Sequence, residues 1–215
     1  LGFPVASVAS GHAPYDVVSD YLRGSKGGML DMFRHEDKIQ EIMDTLTDFI
    51  PRNMMKTASR LRGKIVFIPL HWGLDGFMSP DQFNKFFWPS LRKVLIELID
   101  NEYYPCVLWE GDCESRLEVI SDVPEGKCIY WFERTDPFKA KEVLKDRVCI
   151  RGSVPVSIMN TGTPDDVKEV CKKLIDVVGK DGGFIMDAGV GIPDEAKPEN
   201  VKMMFDFTRE YGVYG

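Results

Sequence analysis

The sequence predicts an α/β protein of the (β/α)8 barrel type. Six short apolar runs each lead into a polar loop and then into a segment of helical periodicity, which is the pattern of a parallel sheet. Several of these loops carry acids or histidine, and in parallel α/β folds the carboxyl ends of the strands carry the chemistry. No glycine-rich GxGxxG or P-loop motif follows any run, which weakens the alternative of an open nucleotide-binding sheet.

The predicted strands are short and largely apolar. They cover residues 3–10, 64–70, 105–110, 127–132, 147–151 and 183–186. The second, KIVFIPL, is a near-continuous apolar run of the kind found in strands that are covered on both faces. In chain order the strand ends read GHAP, HWGLDG, EGDC, ERTD, GSVP and DAGVG, so the polar groups of the protein are concentrated at one end of the predicted sheet.

The predicted helices follow the strands at residues 16–23, 35–61, 79–100, 115–120, 163–178 and 198–211. Ser79 precedes a proline at the first helical position and Gln82 at the capping-box position, which predicts a helix start. Gly24 and the pair Gly27-Gly28 are expected to end the first helix, and Pro51 to kink or divide the second.

Composition excludes several classes of partner. The net charge of −7 and the pI of about 5.1 give no excess of positive charge that would attract nucleic acid or an anionic membrane. No apolar run approaches the ~20 residues of a transmembrane helix. The five cysteines form neither a CxxC pair nor an even disulfide framework, which favours reduced thiols in a cytoplasmic protein.

The length of the chain suggests an incomplete barrel. A (β/α)8 barrel typically needs about 250 residues and eight units, whereas this chain has 215 residues and six predicted units and begins abruptly at Leu1. We expect residues 1–215 to form a single domain, the carboxy-terminal portion of a barrel truncated at its amino terminus. Two open sheet edges would then need cover, which makes a homodimer one expected arrangement.

Residues at the strand ends are the candidate site. Glu110, His71 and Glu133 are the candidate catalytic residues, because carboxylates and imidazoles at these positions can act as general acids or bases. If the Trp109 ring faced the same cavity as Glu110, desolvation would raise the pKa of that carboxyl. The candidate metal ligands are Glu110, Cys113 and His71, which are all acceptable to zinc. The candidate contacts to a small-molecule substrate are Asp75, Ser153 and Asp187.

Each of these residues also has a plain structural interpretation. Glu110 could form a buried ion pair with Arg116 or Arg134, and Cys113 could be an inert loop thiol whose pKa is raised by the neighbouring acids. Asp136, followed by proline, is typical of a helix cap. His12 ends a predicted strand as His71 does, but the following Ala-Pro favours a role at a helix start.

Seven segments together resemble the uroporphyrinogen decarboxylase family. They are PLHWG (69–73), FMSPDQF (77–83), WEGD (109–112), TDPFKAK (135–141), RGSVP (151–155), TGTP (161–164) and PENV (198–201), and they run in the family's order along the chain. The family contains decarboxylases of porphyrin biosynthesis and corrinoid-dependent methyltransferases, all on (β/α)8 barrels. The resemblance implies that this chain begins near the third strand.

The decarboxylase site does not carry over residue by residue. The resemblance places an essential Arg and Asp on the two strands that this chain lacks. Asp20 stands where those enzymes have a Tyr, Leu70 lies near their Ser, and Val190 lies near their His. A substrate with many carboxylates also requires cations, and only Arg134 and Arg151 accompany the acidic strand ends.

The methyltransferase site carries over in part. Those enzymes commonly hold zinc through a His-x-Cys pair and a later Cys, and the matching positions here read Trp109-Glu110-Gly111 and Asp187-Ala188-Gly189. The leading hypothesis is a corrinoid-dependent methyltransferase that acts on a small methylated substrate, with zinc as a candidate metal and the corrinoid (cobalamin) carried by a partner protein. The alternatives are a uroporphyrinogen decarboxylase and a non-catalytic barrel that binds a corrinoid protein.

Overall fold

Six parallel strands form one sheet in the computed structural model, which describes residues 6–214. The strands are Ala9–Ser10 (β1), Ile65–Leu70 (β2), Tyr104–Trp109 (β3), Ile129–Phe132 (β4), Cys149–Val154 (β5) and Phe184–Ala188 (β6). Each pairs in parallel with the next strand along the chain, whereas a doubly wound sheet reverses its order at a switch point. The predicted α/β fold of the barrel type is confirmed, and β1 and β6 are the edges of the sheet within the described residues.

Helical segments follow every strand. They are Pro14–Val17 (α1), Gly24–Arg34 (α2), Glu36–Ala58 (α3), Pro80–Gln82 (α4), Trp88–Asp100 (α5), Leu117–Ile120 (α6), Pro137–Leu144 (α7), Val156–Thr161 (α8), Pro164–Val177 (α9) and Pro198–Tyr211 (α10). Two π-helical segments, Val18–Leu22 and Phe83–Phe87, extend α1 and join α4 to α5, and a 3-10 turn covers Glu114–Arg116. The first predicted strand, residues 3–10, begins outside the described residues.

The two faces of the sheet differ in burial. In β2, Val66, Ile68 and Leu70 are completely buried and alternate with half-buried residues, and β5 shows the same alternation. Because successive side chains of a strand point to opposite faces, the helices cover one face and leave the other partly open. On that second face the guanidinium of Arg151 lies 3.8 Å from the centroid of the Trp131 ring. The candidate site lies along the rim of this open face.

The predicted helix starts are confirmed by their hydrogen bonds. The Ser79 hydroxyl accepts the backbone N–H of Gln82 at 3.2 Å, and the Gln82 side chain accepts the N–H of Ser79 at 2.9 Å. Asp136 accepts the N–H of Phe138 at 2.8 Å, so its helix-cap interpretation is confirmed. Such caps satisfy backbone donors that the first helical turn cannot pair internally, and they fix where each loop ends and its helix begins.

The first helical stretch ends at Leu22, just before Gly24, as the sequence predicted, whereas the pair Gly27-Gly28 does not interrupt a helix. Gly24 begins α2 with a φ of +70°, and Gly27 and Gly28 lie inside that helix. A Cβ at position 28 would lie only 2.5 Å from the Ser19 hydroxyl, so glycine allows α2 to pack closely against the preceding π-helical segment. The low helix propensity of glycine is outweighed here by this close tertiary contact.

Pro51 does not divide the second predicted helix, because α3 is continuous through it. Proline removes one backbone hydrogen bond from a helix, but Met43, Ile50 and Met54 are buried along the same helix. Packing of an apolar face supplies most of the stability of a helix in a protein, and it keeps α3 intact. None of the helices in residues 6–214, α3 included, combines the length and the apolar character needed to cross a membrane.

Candidate active site

The carboxyl ends of β2, β3 and β4 open into a cleft of about 450 Å³. It is lined by His71, Leu74, Asp75, Phe77, Glu110, Gly111, Asp112, Glu133 and Arg134. Four of the residues predicted from the sequence, His71, Asp75, Glu110 and Glu133, therefore share one cleft. Because its lining holds four carboxylates and a single arginine, the cleft has a strongly acidic character.

Asp16 fixes the end of β2 from the neighbouring helix α1. This carboxylate is completely buried and accepts the backbone N–H groups of His71 at 3.0 Å and Trp72 at 3.1 Å. Burial raises the pKa of Asp16 well above its ordinary value, although the two backbone hydrogen bonds oppose that shift. The position of the His71 backbone is thus set by a residue 55 positions earlier in the chain.

Asp20 orients the side chains of the same two residues. One carboxylate oxygen lies 2.6 Å from Nδ1 of His71, and the other accepts the indole N–H of Trp72 at 2.6 Å. Burial alone would lower the pKa of His71, but the carboxylates of Asp20, Asp16 and Glu110 together raise it above its ordinary value. His71 therefore presents its second ring nitrogen to the cleft, with its first one held by Asp20.

Glu110 faces that second nitrogen. Its Oε1 atom lies 3.9 Å from Nε2 of His71. Burial is the main cause that raises the pKa of Glu110, and the negative charges of Glu133 and Asp20 add to the shift while His71 opposes it. A carboxyl with a raised pKa keeps its proton to higher pH than an ordinary one, which suits a proton donor, and the side chain remains about one third exposed to the cleft.

The Trp109 ring is not the cause of the shift at Glu110, contrary to the sequence-based expectation. Trp109 is fully buried, and its ring packs at 5.6 Å, edge to face, against Tyr130 on the helix-covered side of the sheet. Tyr130 in turn donates a hydrogen bond to the Ile120 carbonyl in α6. Because Trp109 and Glu110 are consecutive in an extended segment, they point to opposite faces.

Glu110 also lacks the ion pairs that the structural alternative proposed for it. Arg116 pairs instead with Asp75, with Nε and Oδ1 3.0 Å apart. Arg134 lies 3.7 Å from Glu133 and is largely exposed. Asp75 additionally accepts the backbone N–H and the hydroxyl of Ser115, so its carboxylate holds the loop together as well as lining the cleft. Its predicted substrate contact stays a prediction.

Cys113 is separated from the cleft. Its side chain is completely buried, and its Sγ lies 3.2 Å from the Thr135 hydroxyl, which also accepts the Cys113 N–H. Burial raises the pKa of this thiol to about 12. The structure therefore does not bring Cys113 together with His71 and Glu110 as the predicted ligand set requires, because the loop after β3 turns the thiol into the core.

We expect Cys113 to resist alkylation by iodoacetamide in the native protein at pH 8. The thiolate is the reactive species, and a pKa of about 12 leaves very little of it in a side chain that is already inaccessible. Mass spectrometry of peptides from native and urea-denatured samples measures the difference, with the half-buried Cys149 as an internal comparison. Rapid labelling of native Cys113 would contradict this description of the loop.

Ser153 and Asp187 lie apart from the cleft on β5 and β6, where they are paired in register. Asp187 accepts two hydrogen bonds from Arg151, at 2.9 and 2.7 Å. Ser153 has a φ of +85°, and its buried hydroxyl has no hydrogen-bond partner among residues 6–214. The structure does not bring these two residues together with His71 and Glu110, and their contact with substrate stays a prediction.

Sequence reasoning missed two residues that organise the site, Asp16 and Asp20. Their spacing of four residues was an available signal, because it places both carboxylates on one side of a helix that starts at a strand end. His12, interpreted from the sequence as a helix-start residue, also lies here. Its ring centroid is 6.0 Å from that of His71, and its Nε2 is 3.2 Å from the Tyr21 hydroxyl.

The chain is similar in sequence to one enzyme family throughout. Residues 4–211 match the family model described as uroporphyrinogen decarboxylase (URO-D). A uroporphyrinogen decarboxylase of Chlorobium phaeobacteroides is 28% identical over 142 residues, which cover 63% of this chain and 39% of that protein. The corresponding protein of Chlorobaculum parvum is 22% identical over 185 residues, covering 83% and 51% respectively. The chain thus matches between about two fifths and one half of the length of these relatives.

A solved structure shares the fold. A methyltransferase from Methanosarcina mazei superposes with a TM-score of 0.80 at 19% identity, covering 99% of this chain and 61% of that one. Parallel strands in sequential order, with a polar cleft at their carboxyl ends, are the architecture of the (β/α) barrel class. Because the family model matches residues 4–211 of the chain, the chain belongs to the uroporphyrinogen decarboxylase family.

The zinc set implied by the methyltransferase branch does not fit this structure. The position matched to its first ligand pair holds Glu110 and no thiol, and the only cysteine nearby in the loop, Cys113, faces the core. At the position matched to its last ligand, the Asp187 carboxylate is engaged by Arg151. These positions therefore do not form the three-ligand zinc site of that branch.

Proposed function

We propose that this protein is a methyltransferase that moves a methyl group between a small methylated substrate and a corrinoid carried by a partner protein. The observation that carries the proposal is the acidic cleft at the ends of β2, β3 and β4. A substrate with many carboxylates would be repelled by Asp75, Glu110, Asp112 and Glu133, whereas a small neutral or cationic methyl donor would not. The fold shared with a methyltransferase supports the proposal.

The cleft residues would act on the atom to which the methyl group is bound. When the carbon–heteroatom bond of a neutral donor breaks, its electron pair stays on the heteroatom, and a proton must arrive there; a cationic donor leaves as a neutral molecule without one. Glu110 is the proposed donor, because it is half-buried in the cleft beside His71. His71, held by Asp20 through its other nitrogen, would position Glu110 and the substrate. The corrinoid would supply the nucleophile that accepts the methyl group.

Decarboxylation of uroporphyrinogen is the second candidate, because the curated relatives carry that name. The acidic lining of the cleft opposes it, as do the residues at the positions matched to the decarboxylase site, Asp20, Leu70 and Val190. A third candidate is a barrel that binds a corrinoid protein without turnover.

One set of incubations separates the three candidates. Purified protein is given cob(I)alamin with a panel of methyl ethers, methylamines and methyl thioethers, and methylcobalamin is followed by its absorbance. A parallel incubation with uroporphyrinogen measures released carbon dioxide. We expect methylcobalamin from at least one donor and no carbon dioxide. Carbon dioxide without methyl transfer would favour decarboxylation, and neither product would favour the binding protein.

A further inference from the structure

Two histidines and an aspartate converge beside the cleft. Each of His12, Asp20 and His71 has one nitrogen or oxygen atom able to bind a metal, and these three atoms lie within 4.8 Å of one another. The three residues come from the loop after β1, the π-helical extension of α1 and the loop after β2. Their convergence depends on parallel pairing of β1 with β2, which sets the two histidine-bearing strand ends side by side.

One histidine of this group has a ring nitrogen without a hydrogen-bond partner in the part of the chain that the structure describes. Nδ1 of His12 is buried without a hydrogen-bond partner among residues 6–214, while its Nε2 is next to the Tyr21 hydroxyl. A buried ring nitrogen without a partner is costly, and a bound cation would satisfy it.

The surroundings resemble the outer shell of a metal centre. The second oxygen of Asp20 accepts the indole N–H of Trp72 at 2.6 Å, and the Asp16 carboxylate accepts the backbone N–H of His71. Outer hydrogen bonds of this kind orient ligands and strengthen metal binding. Three carboxylates, those of Asp16, Asp20 and Glu110, surround His71, so a divalent cation would also compensate negative charge.

We propose that His12, Asp20 and His71 bind one divalent cation of the zinc class. Two imidazoles and one carboxylate form a ligand set that zinc accepts, and three protein ligands leave a fourth position open, as in catalytic zinc sites. With ligand distances of about 2.0–2.2 Å, the coordinating atoms of tetrahedral zinc lie roughly 3.3 Å apart, so small side-chain adjustments would close the cluster.

This site differs from both the sequence-based set Glu110, Cys113 and His71 and the set implied by the family resemblance. It deepens the proposed function, since His71 belongs to the cleft, but it does not depend on that function being correct. Metal binding is measured without substrate, so its failure and the failure of methyl transfer are separate results.

The test is zinc binding by the full metal-stripped chain, measured by calorimetric titration and by elemental analysis after dialysis. We expect one equivalent in the wild type and an affinity at least about 10-fold lower in His12→Gln, since loss of even an outer-shell partner has a cost of that size. His35→Gln is the matched control, because His35 is the remaining histidine of the chain and is exposed. It should bind zinc as the wild type does.

Two further measurements keep the proposal falsifiable. Circular dichroism and thermal unfolding of the stripped proteins check that His12→Gln is folded, and Asp20→Asn replaces it if it is not. Cobalt(II) replaces zinc to report the ligand type, and its spectrum should lack a thiolate charge-transfer band. No bound zinc in the wild type, unchanged affinity in the folded variant, or a thiolate band from Cys113 would each overturn the proposed site.

Discussion

Replacement of Glu110 by glutamine is expected to lower kcat for methyl transfer by about 100- to 10,000-fold, the range contributed by a positioned proton donor. Glutamine has nearly the same shape and can still form hydrogen bonds beside His71, but it cannot transfer a proton to the leaving heteroatom. KM should change much less than kcat, because the lost interaction develops only in the transition state. Steady-state kinetics with the best donor from the panel measures both constants.

The matched control for this variant is Glu118→Gln. Glu118 lies on α6, is exposed and does not line the cleft, so the same loss of one negative charge should leave kcat unchanged. Wild-type kcat in Glu110→Gln would remove Glu110 from the mechanism. Equal losses in the two variants would show that the effect comes from net charge and not from the position of the carboxyl.

Replacement of Arg116 by methionine is expected to lower the free energy of unfolding by about 3 kcal/mol, at the lower end of the range for breaking a buried ion pair. The Arg116 side chain is only 3% exposed and pairs with Asp75. Its Nη2 also donates to the carbonyls of Leu74 at 2.9 Å and Met78 at 2.6 Å. Methionine would fill the apolar space beside Phe83, over whose ring the guanidinium lies, but it would leave these oxygens unpaired.

The expected loss of unfolding free energy is at the lower end of the range because Asp75 keeps hydrogen-bond partners when Arg116 is replaced. Ser115 still donates two hydrogen bonds to its carboxylate, which is partly exposed to water. Urea unfolding followed by tryptophan fluorescence measures the change. Arg92→Met is the control, because Arg92 forms a comparable ion pair with Asp122 on the surface, and such pairs contribute at most about 1 kcal/mol. Equal destabilisation by the two variants would contradict a structural role for the buried arginine.

The loss of Arg116 should also affect the cleft. Leu74 and Asp75 line it, and the Asp75 N–H donates to the Asp112 carbonyl at 2.9 Å, which ties the loop after β2 to the loop after β3. A folded Arg116→Met protein is therefore expected to bind substrate more weakly, as a higher KM in the same kinetic assay.

Much of the fold could be predicted from the sequence because its signals are local. Apolar runs mark the strands, and helical periodicity predicts a helix over residues 198–211, the range of α10 in the structure. Helix starts are predicted by Ser79, Gln82 and Asp136, because such side chains form hydrogen bonds with backbone N–H groups only two or three residues away. Strand ends also identified His71, Glu110 and Glu133 as neighbours, since parallel strands end at one edge, but Cys113, expected beside them, is buried in the core.

Only the tertiary structure decided which side chains meet. Asp20 and His71 are 51 residues apart, and their contact depends on how α1 packs over the end of β2. Cys113 and Glu110 are close in sequence, yet a single loop turns the thiol into the core and leaves the carboxyl in the cleft. Local pattern determines where strands and helices form, whereas side-chain contacts between distant segments are set by strand register and helix packing, which no short stretch of sequence encodes alone.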